Sequence, residues 1–526
     1  MKKVFLFLLF ALLVVTMQAQ PQGIFRNPII PGYHPDPSVC RVGNDFYLVT
    51  SSFQYFPGVP IFHSTDLIHW EQLGNVLDRP SQLPLGEANS KGGIYAPTIR
   101  YHEGLYYMIT TNVTSGGNFL VTATNPSGPW SEPIWLKQAG IDPSLFWDDG
   151  HCYMVSNPNS TITMCEIDPA TGRQLTDSKP LWRGTGGRYP EAPHLYKKDG
   201  YFYLLIAEGG TELPHSITIA RSKHIEGPYE ACPNNPILSN CNFKGQWMQA
   251  QGTGHGDLIQ AADGSWWIVF LAYRRFGGDH HHLGRETFLA PVSWPEGEWP
   301  VVNRGEAISL LLDAKGGNVD EKAEADNLPE LVKQDIDYKM ADVLRKPEWI
   351  HIQNPLADRY EVTLKGVLRL HASAPLQENK KPTFIGRRQE SPNVEIVTHV
   401  TLNAGKESAE AGLSVYQSPD GMQNLSVVKS DSGYAVKMEA RVMSIVDKKL
   451  VSIKGNSAYL RVSSDGLKYV YEYSVDGKTW TQLAAHNTSL LSSETVGGFT
   501  GVVIGMYAQG EPTVSADFSC FRYTEK

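Results

Sequence analysis

Five stretches of the chain repeat one pattern, and that repetition limits the fold more than any other feature. They read DPSVCRVGNDFYLV from Asp36, APTIRYHEGLYYMI from Ala96, DPSLFWDDGHCYMV from Asp142, APHLYKKDGYFYLL from Ala192 and HGDLIQAADGSWWIV from His255. Each starts at a polar or small residue and runs into a short apolar stretch. A polar turn carrying Gly follows, then an aromatic pair and an apolar strand, which is the pattern of a β-hairpin. Tyr47, Tyr107, Tyr153 and Tyr203 each lie eleven residues beyond their starting residue, and the fifth unit has one residue more before Trp267. The starts are roughly 45–65 residues apart, the spacing of propeller blades. The expectation is a five-bladed β-propeller, because a sandwich with coincidental hairpins would not require equal registers. In a propeller the first strand of each blade lines the central axis, so equivalent positions converge on one pocket.

A chain of 526 residues exceeds what one core usually organises, and a second domain is expected. Composition shifts near residue 310. Residues 314–345 are charged and loop-like, and from about 350 apolar and polar residues alternate in short strands at 360–364, 367–370, 394–402, 411–416, 458–463, 467–474 and 502–508. The fold class is therefore all-β: a propeller over 20–312, a linker over 313–345 and a C-terminal β-sandwich over 346–526. Residues 24–30 are expected to close the last blade against the segment 288–299.

Residues 1–19 read as a signal peptide: Lys2 and Lys3, an apolar run over 4–15, then Ala19 at the cut. The run is short for a membrane span. The mature protein is expected to be exported, to the periplasm or beyond. The net charge of −9 and the lack of a basic stripe with interleaved aromatics exclude nucleic acid as a natural partner and suit a neutral substrate such as a sugar. Six cysteines lack the spacing of a zinc site. Cys232 and Cys241 flank a Pro/Asn loop and could pair; otherwise the cysteines read as small apolar residues.

Alignment of the repeats puts Asp36, Ala96, Asp142, Ala192 and His255 at one position, with Glu191 a residue earlier in the fourth unit. A single Asp beside Pro is an ordinary turn residue. Three carboxylates at repeat-equivalent places are different, because gathering them is costly unless the chemistry demands it. Two carboxylates across a pocket are what glycosidic hydrolysis needs: one protonated, to donate to the leaving oxygen, and one ionised, to activate water. A third raises the acid's proton affinity. On this reading Glu191 is the general acid, Asp36 the general base and Asp142 the group that tunes and orients Glu191.

The motifs NPIIPGYHPDPS, SSFQYFPGVPIFHSTDLIHW, GGIYAPTIRYHEGLYYMITTN, GIDPSLFWDDG, RYPEAPHLYKKDGYFYLLIAEGG, QGTGHGDL and LGRETFLAPV span most of residues 24–300. Together they resemble glycoside hydrolase family 43, five-bladed propeller enzymes acting on xylose- and arabinose-containing glycans. The resemblance implies the same three carboxylate roles and an inverting mechanism. It also implies that His255 lies at the propeller axis, near a bound cation or its waters, and that Arg285 bonds sugar hydroxyls. Phe53 is implied to pack on the terminal sugar. Taken alone, His255 would read as a packed core histidine, Arg285 as a partner of Glu286, and Phe53 as core. The run His280-His281-His282 reads as a polar loop near the pocket rather than a metal site. No organic cofactor is implied; a structural Ca²⁺ near His255 is compatible, although no oxygen-ligand loop stands in the sequence.

Residues from about 325, with PTFIGRRQES, AEAGLSVYQ and GGFTGVVIGMYAQG, are similar to the C-terminal sandwich of the family's β-xylosidase and arabinofuranosidase branch, which can narrow the active-site mouth and so implies exo action. Tyr95 stands where many β-xylosidases of the branch have Trp, and Ile141 where they have Phe. Both flank the terminal subsite, and the difference tilts the expectation toward a furanose. The expected activity is release of terminal α-L-arabinofuranosyl groups from arabinoxylan, arabinan or arabinosylated xyloglucan, with β-xylosidase as the alternative. A non-catalytic sugar-binding propeller and an endo-acting arabinanase are the rival readings.

Overall fold

The computed structural model describes residues 23–242, 248–322, 324, 328, 332–405 and 408–526; the signal-peptide reading of 1–19 falls outside them. Each repeat forms one antiparallel blade. The innermost strands are Ser38–Val42, Thr98–His102, Ser144–Asp148, Glu191–Lys198 and Ala250–Gln260. Each pairs with the next strand in sequence and then outward. The aromatic second strands fill the seams between blades. Tyr106 and Met108 pack with Val49 and Ile61 of the preceding blade, and Leu204 and Ile206 with Val155 and Met164. Four of the five repeat-start residues share a left-handed backbone: Asp36 (φ 57°), Asp142 (φ 52°), Ala192 (φ 53°) and His255 (φ 46°). Such a conformation costs about 1–3 kcal/mol for a residue with a Cβ. Its repetition at equivalent places means the blade geometry, not local preference, aims these residues.

Below the pocket one buried carboxylate ties four blades together. Asp257 accepts from Ser38 Oγ (2.7 Å) and Val39 N (3.1 Å) of the first blade. Arg100 of the second donates through Nη1 (2.7 Å) and Nη2 (3.2 Å), and Tyr196 of the fourth through its hydroxyl (2.6 Å). Burial raises the Asp257 pKa, but Arg100, His194 and these bonds outweigh it and hold the carboxyl far below the usual range.

Ring closure differs from the expected pairing. Ile24–Arg26 pairs with Leu311–Asp313, in a small separate sheet. Against the last blade these residues form no ladder: Ile29 and Ile30 bond Thr287, Asn27 bonds Leu289, and Phe25 packs on Trp267. The prolines at 28 and 31 lack the N–H that a continuous ladder needs.

The C-terminal part is a sandwich of two eight-stranded sheets. Every expected strand there is present, and Thr383–Arg388, Gly421–Ser430, Gly433–Val442, Ile445–Ser452, Thr481–Asn487 and Ser515–Glu525 are added. The stretch read as linker, 313–345, is not all linker. Asp335–Tyr338 pairs with Ser515–Glu525; its two aspartates made it look charged, while Tyr338 is buried. One sandwich sheet crosses the domain boundary: its last strand is Tyr55–Phe56 of the propeller, paired with Trp349–Ile352. A shared core forms there, with Tyr33, Phe53 and Tyr55 packed against Ile350, Ile352, Phe384, Tyr416, Val503 and Tyr507. All six cysteines are free thiols, so Cys232 and Cys241 are not joined.

Candidate active site

Where the inner strands begin, one small pocket of about 70 Å³ is lined by Asp36, Phe53, Tyr95, Ala96, Ile141, Asp142, Glu191, Thr211, His215, His255, Arg285 and Phe499. All eight residues singled out in the sequence therefore meet in one place. Thr211, Arg285 and Phe499 also line a larger cavity of about 480 Å³, whose wall includes Lys91, Glu212, Tyr273, His281 and Glu494.

The three carboxylates have different surroundings. Asp36 is buried and bonded: Arg285 Nη1 donates to Oδ1 at 2.9 Å and Ser51 Oγ to Oδ2 at 2.5 Å, while His255 Nδ1 stands 3.7 Å from Oδ1. Burial raises its pKa, but Arg285, His255 and the Ser51 hydroxyl outweigh it and hold the carboxyl below its ordinary value. Asp142 accepts a hydrogen bond from Ala192 N at 3.2 Å. Burial, with the Asp36 charge adding to it against His255, pushes Asp142 up to about 6. Glu191 lies in the same pocket, and burial followed by the charges of Asp142 and Asp36 raises it well above the usual carboxylate range. The arrangement separates a carboxylate that stays ionised from a pair that retains a proton, which is the division acid–base chemistry at one pocket requires.

The segments carrying Asp142 and Glu191 are stapled together. Asn157 Oδ1 accepts from Ile141 N (3.0 Å) and its Nδ2 donates to Pro190 O (3.0 Å), joining the residues that precede the two carboxylates. Ser144 Oγ donates to Pro193 O at 2.6 Å.

Arg285 does not pair with its neighbour Glu286, which is held by Arg274 at 2.7 Å. Its Nη1 serves Asp36 and Thr211 Oγ1 (3.0 Å), and its Nε has no partner among the described residues. Phe53 (φ 46°) is fixed by backbone bonds to Ile94 and packs against Tyr95 at 5.2 Å and Phe499 at 5.7 Å between ring centroids.

Three pocket residues went unread in the sequence: Thr211, His215 and Phe499. Thr211 and His215 follow the Gly209-Gly210 turn after the fourth blade's second strand, outside the repeat-equivalent position. His215 Nδ1 lies 3.1 Å from the Gly252 carbonyl. A carbonyl only accepts, so Nδ1 carries the hydrogen and Nε2 is an acceptor. Burial lowers this ring to about 3, keeping it neutral. The ring needs Gly254, where a Cβ would stand 2.3 Å from it. Phe499 comes from the sandwich, within the GGFTG motif. Its carbonyl accepts from Arg285 Nη2 at 3.4 Å, and Arg285 lies over its ring at 5.7 Å.

The histidine run holds this sandwich loop. His280 Nδ1 bonds Ser492 Oγ (2.9 Å), and His281 Nδ1 bonds Glu494 Oε1 (2.5 Å). His282 is buried against Phe276 and Tyr469. Among the described residues no group of three or more His, Cys, Asp or Glu side chains is arranged to hold a metal ion. Around His255 the side chains do not furnish the six to eight oxygens that Ca²⁺ prefers.

Comparison with known proteins gives a consistent result. Residues 25–300 match the model of glycosyl hydrolases family 43, and residues 344–524 that of the beta xylosidase C-terminal Concanavalin A-like domain. The chain is 41% identical over 521 residues to a non-reducing end alpha-L-arabinofuranosidase of Bacteroides ovatus, covering 95% of each chain. It is 39% identical to a xylosidase/arabinosidase of Butyrivibrio fibrisolvens, covering 95% of this chain and 98% of the relative. Among solved structures, the Bacteroides ovatus xyloglucan PUL GH43B superposes with a TM-score of 0.88 at 38% identity, covering 96% of this chain and 100% of that one. A xylan beta-1,4-xylosidase from Bacillus halodurans gives 0.84 at 32% identity, with 95% and 100% covered.

Proposed function

The chain belongs to glycosyl hydrolases family 43, and on that footing we propose that it is an exo-acting, inverting glycosidase that releases terminal α-L-arabinofuranosyl residues from hemicellulose side chains or oligosaccharides. The observation that carries the reading is the contrast among three carboxylates in one small pocket: Asp36 paired with Arg285 and Ser51 and held ionised, Asp142 and Glu191 held toward protonation.

In the proposed reaction Glu191 gives its proton to the glycosidic oxygen as the bond from the anomeric carbon to that oxygen breaks. Asp36 takes a proton from the water that attacks the opposite face, and the new carbon–oxygen bond leaves the sugar inverted. Asp142 supplies the charge that keeps Glu191 protonated, and its bond to Ala192 N orients the acid's backbone. Arg285 keeps Asp36 ionised and lines the pocket where a sugar hydroxyl would meet it. Phe53, Tyr95, Ile141 and Phe499 wall the terminal sugar, and His255 faces the base from the axis. A pocket roofed by the sandwich suits attack at a chain end and speaks against endo action.

β-D-Xylosidase is the second reading, favoured by the names of several relatives, the Butyrivibrio fibrisolvens xylosidase/arabinosidase among them. Export to the periplasm or beyond is proposed on the signal-like residues 1–19. Two measurements test the whole. Hydrolysis of aryl α-L-arabinofuranoside should exceed that of aryl β-D-xyloside, and proton NMR should show the first product with the anomer opposite to the substrate's. Loss of Glu191 in Glu191→Ala should lower kcat by about 10²–10⁴-fold on poor leaving groups; a sugar-binding propeller would keep its binding and have no rate to lose.

A further inference from the structure

Glu208 ends the second strand of the fourth blade, Tyr201–Glu208. It is 2% exposed, and no step of the proposed reaction uses it. Its carboxylate gathers donors from one short segment and from the next strand. Thr185 N (3.0 Å), Thr185 Oγ1 (2.9 Å) and Gly187 N (2.9 Å) donate to it, as does Thr218 Oγ1 (2.7 Å). The segment is the loop G-T-G-G-R-Y-P over 184–190, whose last residue precedes Glu191. Gly184 (φ 74°) wraps so closely that a Cβ there would stand 2.5 Å from Glu208 Oε1.

Elsewhere the loop is tied at its last residue, by Asn157 Nδ2 on Pro190 O (3.0 Å), and by Arg188 Nη2 on Glu212 Oε2 (3.0 Å). Residues 185–189 are exposed, so no core fixes them. The ladder after Glu191 is irregular, with the register shifting between Glu191 and His194. Tyr189 adopts a left-handed φ of 50° just before the acid. A further attachment, Gly209 N to Arg188 O at 2.7 Å and Arg188 Nη2 to Gly209 O at 3.0 Å, joins the residue that follows Glu208. The exposed middle of the loop, at 185, 187 and 188, is thus referred to Glu208 and the residue after it.

We infer that Glu208 is a positioning residue: by gathering the 184–190 loop it sets where the Glu191 carboxyl meets the leaving oxygen. The inference rests on the reading of Glu191 as the acid. A misplacement of about 1 Å at such a group is enough to cost about 10²-fold, and the loss must fall on substrates that need a proton.

The test is Glu208→Gln in the full chain, assayed on aryl α-L-arabinofuranosides graded from a dinitrophenyl to an unactivated phenyl leaving group, with Glu191→Ala in parallel. Glu208→Gln should lose about 10–100-fold in kcat on the phenyl glycoside and under about threefold on the dinitrophenyl glycoside. Log kcat should therefore fall more steeply with leaving-group pKa than in the wild type. An equal loss across the series, or none, overturns the inference. If Glu191→Ala shows the leaving-group dependence and Glu208→Gln does not, only the role of Glu208 fails. If Glu191→Ala lacks it, the assignment of the acid fails first. Should Glu208→Gln not fold, Thr218→Val removes one donor only, and a steeper slope at an unchanged Tm is required of it in the same assay.

Discussion

Asp257→Asn changes one atom and one charge at the tie beneath the pocket. Five donor contacts converge on the carboxylate: two on Oδ1, from Tyr196 and Arg100 Nη2, and three on Oδ2, from Ser38 Oγ, Val39 N and Arg100 Nη1. An amide placed either way turns an N–H toward a guanidinium N–H and at least one further donor, and leaves Arg100 without its counter-charge. Breaking a buried ion pair from one side costs about 3–5 kcal/mol. For a domain of this size about 2 °C accompanies each kcal/mol, so the propeller transition should fall by about 6–10 °C in calorimetry at neutral pH. The pH dependence has a definite sign. A carboxyl depressed in the folded state contributes stability above its unfolded value, near 3.9, and loses it as pH falls toward the folded value. The gap between wild type and variant should thus be constant from neutral pH down to about 5 and narrow below about 4. A shift under about 2 °C, corresponding to about 1 kcal/mol, or a gap that widens on acidification, would refute the reasoning.

Three further outcomes are expected. Asp142→Asn removes the charge that does most to raise Glu191, after burial itself; the alkaline limb of kcat/KM against pH should move to lower pH, and an unmoved limb would detach Asp142 from the acid. Phe499→Ala deletes the ring contacts to Phe53 and Tyr95, worth about 0.5–1.5 kcal/mol each. Because Phe499 also lines the pocket, steady-state kinetics should show kcat/KM reduced, although the substitution lies in the other domain. Asn157→Ala releases the staple between the Asp142 and Glu191 segments; losing its two bonds should cost about 1–3 kcal/mol in urea unfolding, and kcat should fall more than KM rises.

How far the sequence could be read follows from where each signal lay. The blades were visible because hairpins of equal register repeat, and a repeat needs no tertiary knowledge to recognise. Asp36, Asp142 and Glu191 became visible with them, since their meaning comes from equivalence. Phe499 had no such equivalence: it lies more than two hundred residues beyond Arg285 in a loop that resembles other glycine-rich turns. Glu208 and Asp257 were hidden for another reason. Glu208 reads as the polar end of an apolar strand, with its partners in a preceding loop, and Asp257 sits two residues past the repeat-equivalent position. The closing strand was misplaced because residues 24–30 alternate well enough to pair with either candidate, and only the prolines and the reach of Leu311–Asp313 decide.

The strand Tyr55–Phe56 is chemically part of the propeller and geometrically part of the sandwich. A recombination event between residues 313 and 345 would respect the apparent boundary and still sever that sheet. The incoming module would have to offer an edge for Tyr55–Phe56 and, at the same time, a loop that presents an aromatic ring to Arg285. Few foreign domains satisfy both conditions. The two halves should therefore be inherited together rather than shuffled, and a catalytic domain transplanted alone would carry an unroofed pocket and an open sheet edge two residues from Phe53.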